Sequence, residues 1–293
     1  MIGWNSFTTG TKIRTARVLY QVVSRLRDVA GRPRTILAHR RGVTFDLDLA
    51  EGTDLAMYLF GIFEIDTYRA LRRLVRPGDT VLDIGANSGI HTLPMAKLVG
   101  EAGRVIAFEP TDLAFRRLLR NLELNSELAS RVTPVMAYLD DGQRTDPPAS
   151  FYASWRLDRP GEHPKHFGSR AAASRAAAWT LDEYVSVAGV QRVDVIKLDV
   201  DGYECKVLRG GDSLFERQRP AIVAEICPYA LEEHGDSAAE MLGLLLKHGY
   251  SFYDERTMQR VSDEPGAIEA SIKPNSSINL IGVGAGQSEE RLH

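Results

Sequence analysis

A glycine-rich turn after an apolar segment carries the clearest chemical signal in the sequence. Asp83 lies near the end of residues 80–84 (TVLDI), and Gly85, Asn87 and Gly89 follow in a G-x-N-x-G pattern. Glycines allow a tight turn and a close approach of the backbone to a ligand. The pattern is not the G-x-G-x-x-G turn that binds a pyrophosphate, and an adjacent acid would repel phosphates but suit a cationic amino group. It therefore favours S-adenosylmethionine (SAM) over a dinucleotide.

A second acid ends the next apolar segment, residues 104–108 (RVIAF). Glu109 lies there, 24 residues after Gly85, and Pro110 follows it. An acid about 20 residues after such a turn is placed to accept hydrogen bonds from ribose hydroxyls. A strand-end carboxylate with no ligand is the alternative, and the glycine turn favours the ribose role. Glu109 and Pro110 are therefore predicted to bind the cofactor.

Three carboxylates crowd the end of a later apolar segment, in residues 196–204 (IKLDVDGYE). Asp199, Asp201 and Glu204 would lie beyond the carboxyl end of a strand, where open α/β sheets bind ligands. Such acids can position an amine, bind a divalent metal such as Mg²⁺ or act as a general base. We predict Asp199 or Glu204 as the catalytic base, or a metal held by Asp199 and Asp201. In the alternative, Asp201 and Glu204 only stabilise the start of the next helix.

Glu225 and three histidines widen the set of candidates. Glu225 ends residues 221–226 (AIVAEI) and would project from the same edge of the sheet. His91 is a second candidate base because its ordinary pKa of about 6.5 suits proton transfer near neutral pH. A histidine early in a helix is, however, more often only packed or hydrogen-bonded. His163 and His166 lie in an irregular segment and could reach a substrate.

From residue 77 onward, short apolar segments alternate with segments of helical periodicity. This alternation predicts an α/β fold in which helices cover both faces of a mostly parallel sheet. The predicted strands are residues 80–84, 104–108, 132–137, 194–198, 221–226, 250–253 and 277–281. The predicted helices are residues 88–99, 112–124 and 238–248, with a further helix that opens at residues 203–208.

The first 76 residues follow a different pattern and predict a helix and hairpin appendage. Residues 11–29 have apolar side chains at helical spacing, and the pattern of residues 54–74 is again helical. Between them, residues 35–38 and 43–49 read as the arms of a β-hairpin. Packing on the core is the commonest fate of such a helix, and a substrate cap, a dimer element and an anionic membrane surface are the other roles considered.

The remaining boundaries follow from composition. Residues 77–283 form the predicted SAM-binding domain, and residues 284–293 read as a loose tail. Residues 140–178 interrupt the alternation of strand and helix patterns. They are rich in Pro, Gly, Arg and Ala and contain the aromatic residues Phe151, Tyr152, Trp155 and Phe167. A loop of this length is usually a lid, a binding insertion or disordered. We predict a lid over the acceptor, or else a small hydrophobic cluster under the loop.

Composition is that of an ordinary folded enzyme, with 293 residues that are 44% apolar and 26% charged. Cys205 and Cys227 show no metal-binding or disulfide pattern. No segment reaches the roughly 18 apolar residues that a bilayer requires, and a cytoplasmic location is expected. Residues 1–41 hold nine basic side chains and one acid, which leaves a net charge of −11 on the rest. This asymmetry suggests an anionic partner such as a membrane surface.

Together these motifs resemble the FkbM family of SAM-dependent methyltransferases. The resemblance is carried by residues 78–89, by Ala107-Phe108-Glu109-Pro110, by residues 121–125 (NLELN), and by residues 196–210 with 220–225 after them. It spans roughly residues 55–283. It implies a class I methyltransferase fold, with a seven-stranded sheet whose last strand is antiparallel.

The resemblance also implies residue roles and an activity. SAM would be bound by Asp83, Gly85, Asn87, Gly89 and Glu109, and Glu64 would lie near its methionine end. The implied reaction is O-methylation of a hydroxyl on a sugar, a glycolipid or a natural product. The chain departs from the family at His91, where an aromatic residue is common, and at Asp201, where the family usually has Glu.

Two other functional classes are compatible with parts of this pattern. A non-catalytic SAM-binding or scaffold protein would keep the glycine turn but has no need of three carboxylates beside it. An NAD-dependent oxidoreductase would need a dinucleotide fingerprint, which the turn lacks. Nucleic acid is not an expected partner, because the core is acidic and lacks the motif of enzymes that methylate a flipped base. A small-molecule acceptor and a homo-oligomer are expected.

Overall fold

The computed structural model describes residues 9–143, 148–165, 168–286 and 289–292. In chain order its elements are α1 (Thr9–Val29), β1 (Thr35–Arg40), β2 (Val43–Asp48), α2 (Gly52–Phe60), α3 (Ile65–Leu74), β3 (Thr80–Ile84), α4 (Thr92–Leu98), β4 (Arg104–Phe108), α5 (Asp112–Glu123), α6 (Ser126–Ala129), β5 (Val132–Val135), β6 (Ala137–Asp140), β7 (Ser150–Ser154), β8 (Ser169–Ala172), β9 (Ala177–Thr180), α7 (Leu181–Val187), β10 (Val195–Leu198), α8 (Glu204–Gly210), α9 (Asp212–Gln218), β11 (Ala221–Ile226), α10 (Pro228–Glu233), α11 (Ala238–Leu246), β12 (Tyr250–Asp254), α12 (Pro265–Ser271) and β13 (Ile278–Gly284), followed by the 3₁₀ turn Glu289–Arg291.

A seven-stranded sheet organises the described part of the chain, in the order β12-β13-β11-β10-β3-β4-β5. Only β13 runs antiparallel to its two neighbours within this sheet, whereas the β11-β10-β3-β4-β5 pairs are parallel. Side chains alternate across each strand, so Val81 of β3 joins one buried cluster while Leu82 and Ile84 join the other. The predicted class I fold, with its antiparallel last strand, is confirmed.

The N-terminal hairpin packs against the sheet. Phe45 and Leu47 of β2 are buried in the same hydrophobic cluster as Val81. Two asparagines of α5 and its C-terminal turn hold β2 by its backbone. Asn125 Oδ1 accepts the Thr44 N–H and Asn121 Oδ1 accepts the Asp46 N–H, each at 2.8 Å. These bonds explain both asparagines of the NLELN motif.

The largest differences between predicted and observed elements concern three segments. The helix predicted for residues 54–74 is two helices, because Gly61 ends α2 with a φ of 71° and Glu64 precedes α3 with a φ of 47°. The helix predicted from residue 88 begins at Thr92, after a turn. The strand predicted for residues 132–137 divides near Met136, since β6 leaves the main sheet and pairs with β9.

The described part of the predicted insertion contains strands. β7 and β8 form an antiparallel hairpin, and β6 and β9 form a parallel pair. His163, between β7 and β8, places its Nε2 2.9 Å from Glu233 Oε2 at the end of α10. This contact attaches the insertion to the main domain. His166 and Phe167 lie outside the described residues.

The C-terminal residues differ from the predicted loose tail. Arg291 is buried, and its guanidinium donates to Asp79 Oδ2 at 2.6 Å and to Asp194 Oδ1 at 2.9 Å. It also donates to the Leu74 carbonyl at 2.8 Å. Residues 289–292 therefore anchor on the loops that precede β3 and β10. Within the described ranges, no helix is both long and apolar enough to cross a membrane.

Candidate functional site

A cavity of about 870 Å³ opens where β3, β4, β10 and β11 end. The carboxyl edge of such a sheet is where α/β proteins bind ligands, and the volume lies within the usual range of roughly 300–1,000 Å³ for ligand pockets. The predicted site residues that line it are Glu64, Gly85, Asn87, His91, Glu109, Pro110, Asp199, Asp201 and Glu225. Asp83, Gly89 and Glu204 are not part of its lining.

The two glycines of the turn meet different neighbours. Gly85 has a φ of +87°, and a Cβ there would come within 1.8 Å of the Asp199 carbonyl oxygen. Gly89 has a φ of +86°, and a Cβ there would come within 2.7 Å of Leu118 Cδ1 on α5. Gly89 therefore allows close packing of the turn against α5, and its contact with a ligand stays a prediction. Gly85 lets the turn lie against the end of β10.

Glu109 is buried and holds the turn in place. Its carboxylate accepts the backbone N–H of Asn87 and of Thr111, each at 2.8 Å, and the Thr111 hydroxyl. Burial raises the pKa of Glu109 above its ordinary value, and these hydrogen bonds oppose the increase. A carboxylate has about four lone-pair positions, so Glu109 retains one acceptor position. It lines the cavity beside Pro110.

Lys197 is a site residue that the sequence analysis missed. Its buried Nζ lies 3.0 Å from Asp199 Oδ2 and 3.9 Å from Asp83 Oδ1, and it donates to the Gly85 carbonyl at 3.1 Å. Burial alone would lower the pKa of Lys197, but the carboxylates of Asp199 and Asp83 raise it above its ordinary value. The charged amine therefore joins β3, the glycine turn and the carboxylate cluster. A lysine inside the apolar run IKL was the available signal.

Asp83 lies behind the cavity wall. It is fully buried, and its Oδ2 accepts the Thr92 hydroxyl at 2.6 Å at the start of α4. Its Oδ1 has no hydrogen-bond partner among the described residues and faces Lys197. Asp83 thus positions α4 and Lys197, and direct contact with a cofactor stays a prediction.

Asp199, Asp201 and Glu225 form the acidic wall of the cavity. Burial and the neighbouring carboxylate of Asp199 raise the pKa of Asp201 well above its ordinary value. Burial, Asp199 and Asp201 do the same for Glu225. Three such groups cannot all be charged at low cost. The wall therefore combines a carboxylate that is paired with Lys197 and two carboxyls whose raised pKa values favour the protonated form.

Glu204 stabilises the turn before α8. Its carboxylate accepts the backbone N–H of Val200 and of Gly202, each at 3.0 Å. It is buried, and burial raises its pKa to about 7. This arrangement favours the structural role that the sequence left open for Glu204. Its part in catalysis stays a prediction.

His91 and Glu64 form a second polar pair in the cavity wall. His91 Nε2 lies 3.3 Å from Glu64 Oε2, and His91 is 7% exposed. Glu64 reaches this position because α2 ends at Gly61 and Glu64 lies in the short turn before α3. A base whose ring is oriented by a carboxylate is a recurring catalytic arrangement, so His91 stays a candidate.

The described residues include no group of three or more His, Cys, Asp or Glu side chains arranged to hold a metal ion. Asp199, one of the two predicted metal ligands, is paired with Lys197 at 3.0 Å. The metal prediction therefore gains no support from these residues.

The insertion contributes aromatic side chains to the cavity. Phe151, Tyr152 and Trp155 line it, and the Phe151 ring lies 5.2 Å from that of Tyr203. His163 is not in the lining, because it contacts Glu233 and the Tyr152 ring. The predicted lid residues thus face the site, whereas His163 supports the hairpin from behind.

Residues 83–252 match the methyltransferase FkbM domain, and the chain belongs to this family of SAM-dependent methyltransferases. The chain is 27% identical over 222 residues to AMB antimetabolite synthetase AmbE of Pseudomonas aeruginosa. The matched region covers 64% of this chain and 10% of AmbE. It is 26% identical over 201 residues to Methyltransferase 1 of Beauveria bassiana, which covers 61% of this chain and 76% of that protein. The solved methyltransferase FkbM from Methylobacillus flagellatus is 14% identical, with a TM-score of 0.42 over 72% of this chain and 49% of that one.

Family membership confirms the predicted class of enzyme. The chain belongs to a family of SAM-dependent methyltransferases, and neither the oxidoreductase nor the non-catalytic alternative is favoured. The chain spans about a tenth of AmbE, so that protein's whole activity does not carry over. The hydroxyl acceptor, the site residues, the partners and the cytoplasmic location stay predictions.

Proposed function

We propose that this enzyme transfers the methyl group of SAM to a hydroxyl oxygen of a sugar, glycolipid or natural-product acceptor. The observation that supports this is the acidic wall of Asp199, Asp201 and Glu225 in the same cavity as Gly85 and Glu109. A neutral hydroxyl must lose a proton during methylation, so a nearby proton acceptor matters more for it than for a thiolate.

The residues around the glycine turn fit SAM. Glu109 lines the cavity and keeps an acceptor position for a ribose hydroxyl. A cationic ammonium or sulfonium group of SAM beside the wall would favour the charged form of its carboxyls. Gly85 and Asn87 line the cavity beside them. Asp83 contributes indirectly, through Lys197 and the start of α4.

SAM supplies a methyl group on a positively charged sulfur, which leaves as a neutral thioether. The chain's own residues position the acceptor oxygen in line with that methyl group, and such positioning provides much of the rate acceleration. Asp199, held by Lys197, accepts the hydroxyl proton as the new oxygen–carbon bond forms. Asp201 and Glu225 line the cavity beside Asp199, where their carboxyl groups orient the acceptor by hydrogen bonds. His91 with Glu64 is the alternative proton acceptor.

The cofactor is tested by calorimetric titration with SAM, S-adenosylhomocysteine and NAD in parallel. The first two should bind and NAD should not. Glu109→Gln should weaken SAM binding about tenfold, since a hydrogen bond to a charged group contributes roughly 1.5–3 kcal/mol. Glu101→Gln, on an exposed residue, is the matched control. Binding of NAD alone would overturn the proposal.

The reaction is tested by the formation of S-adenosylhomocysteine with panels of hydroxylated and amine acceptors, with and without EDTA. Asp199→Asn should lower kcat at least about 100-fold, as expected for a general base, a larger factor than its effect on SAM affinity. The kcat of His91→Gln tests His91 as the alternative base. The kcat of Glu204→Gln tests whether the turn before α8 affects turnover. Methylation of amines without hydroxyls would refute the O-methyl assignment. Near-normal turnover of both Asp199→Asn and His91→Gln would refute the mechanism.

A further inference from the structure

The wall of the cavity is divided by element. Carboxylates and Lys197 come from the strand ends, whereas the N-terminal helices supply apolar side chains. Ile13, Ala16 and Leu19 of α1 and Leu55, Ala56 and Leu59 of α2 all line the cavity. Both helices precede the matched domain at residues 83–252. This apolar part, the helical wall, is therefore a feature of this chain outside the shared domain.

The helical wall extends to the opening of the cavity. Leu59 is 37% exposed and Phe60 is 65% exposed, and both line the cavity. Ile13 and Leu55 are buried, at 8% and 2% exposure. The apolar surface thus runs from buried to exposed positions. From the insertion, Trp155 and Leu157 add to it.

The chemistry of this wall does not match SAM or a bare sugar. The polar groups of SAM are matched by Glu109 and the acidic wall, and a sugar ring needs hydrogen-bonding partners at its rim. When an apolar ligand displaces water from a cavity lined by aliphatic side chains, the burial of apolar surface makes binding more favourable. The ligand that fits both parts of the cavity carries a hydroxyl at one end and an aliphatic body at the other.

We infer that the acceptor is an amphiphile, whose aliphatic portion packs between α1 and α2 while its hydroxyl end lies beside Asp199. This inference rests on the proposed function for its hydroxyl end. The continuity of the helical wall with the acidic wall, within one cavity, selects the acceptor as the occupant.

The test measures binding of two ligand series to the protein loaded with S-adenosylhomocysteine. The probes are 1-alkanols and alkyl glucosides with chains of increasing length, each below its aggregation concentration. Affinity should rise about two- to fourfold per methylene, the range expected for apolar burial. Leu59→Ser and Phe60→Ser should flatten this dependence and leave SAM affinity within about twofold.

Val18→Ser is the matched control, because Val18 is 61% exposed on α1 and lies outside the cavity lining. It should keep the full dependence on chain length. Affinity that is independent of chain length in both series would overturn the inference. So would a dimer that Phe60→Ser separates into monomers while neither series binds, since a second copy would then cover the helical wall.

The two proposals fail in different ways. Length-dependent binding without methylation of any hydroxyl would refute the proposed function and leave the apolar site standing. Efficient methylation of short polar acceptors, with no gain from longer chains, would refute the amphiphile and leave the O-methyltransferase standing.

Discussion

Lys197 shows how one buried side chain can connect the parts of a site. Its charge is needed because Asp83 and Asp199 lie on both sides of it, and each would otherwise be a buried or half-buried carboxylate without a cation. Asp83 and Lys197 are direct partners in the register of β3 and β10. The pairing of the two strands therefore brings the ion pair together.

Replacement of Lys197 by Met should destabilise the fold by about 3–5 kcal/mol, as expected when one partner of a buried ion pair is removed. The carboxylates of Asp83 and Asp199 would remain, and SAM affinity should fall because the glycine turn loses its support. Urea unfolding and calorimetry measure the two effects. Lys273→Met, at an exposed position, should change neither. A variant with wild-type stability would show that the ion pair is not important for folding.

Glu255 should make stability depend on pH. It is 6% exposed and accepts the Thr67 hydroxyl at 2.9 Å, and burial raises its pKa from 4.5 to about 8. The folded state therefore holds the proton more tightly than the unfolded state. The resulting stabilisation is fully present below pH 4.5 and is lost as the pH rises to about 8.

Glu255→Gln keeps the shape and removes the titration. The variant should match the wild type near pH 5 and exceed its free energy of unfolding by roughly 3–5 kcal/mol at pH 8.5, at about 1.4 kcal/mol per pKa unit. Urea unfolding at the two pH values measures this difference. Glu101→Gln should show no such pH-dependent difference in the free energy of unfolding. Equal stability differences at both pH values would contradict the assignment.

At the scale of elements, α1 has two apolar faces. Its inner face packs on α2 and lines the cavity. On the outer face Val18, Val22 and Leu26 are 61%, 53% and 65% exposed. They recur at i, i+4 and i+8 and therefore form one stripe. We predict that this stripe is the part of α1 that contacts an anionic membrane.

Vesicles that contain anionic lipid should bind the enzyme, and binding should weaken as salt rises, because exposed arginines such as Arg14 and Arg25 lie on the same helix. Val22→Asp should abolish binding, since it places an acid in the stripe. Co-sedimentation with vesicles measures this, and neutral vesicles provide the comparison. Val187→Asp, at a site 73% exposed on α7, should bind normally. Absence of binding at low salt would remove the membrane as a partner.

At the scale of the whole molecule, the N-terminal hairpin and the C-terminal turn contact the main sheet at different places. The N-terminal hairpin joins the core through β2 and the asparagines of the α5 region. The C-terminal turn inserts Arg291 between Asp79 and Asp194, which precede β3 and β10. Both ends thus stabilise the central strands that carry the site.

Arg291→Ala should lower the free energy of unfolding by about 3–5 kcal/mol, because it leaves two buried carboxylates with fewer partners. Asp79 should account for more of this loss than Asp194, because Arg192 also pairs with Asp194 and remains in the variant. Thermal and urea unfolding measure the loss. Arg217→Ala, on an exposed residue, is the control. An unchanged melting temperature would show that the C-terminal turn adds no stability.

Local patterns in the sequence were sufficient to locate the seven strands of the main sheet, the glycine turn and the acids at the strand ends, but not the strands β6 to β9. Strand and helix periodicities are local, and carboxyl ends of parallel strands meet at one edge, so Glu109, Asp199 and Glu225 could be placed together. The break at Gly61 was missed because the apolar periodicity continues across it, and the left-handed conformation of Glu64 has no sequence signal.

The sequence by itself determined the fold class, the family and the side of the sheet on which the site lies, because those depend on residue spacing and strand order. The tertiary structure decided which side chains face the cavity. It turned Glu204 toward backbone N–H groups, paired Lys197 with Asp83 and Asp199, and brought α1 and α2 to the opening. These contacts join residues far apart in the chain and depend on side-chain direction, which residue spacing alone does not specify.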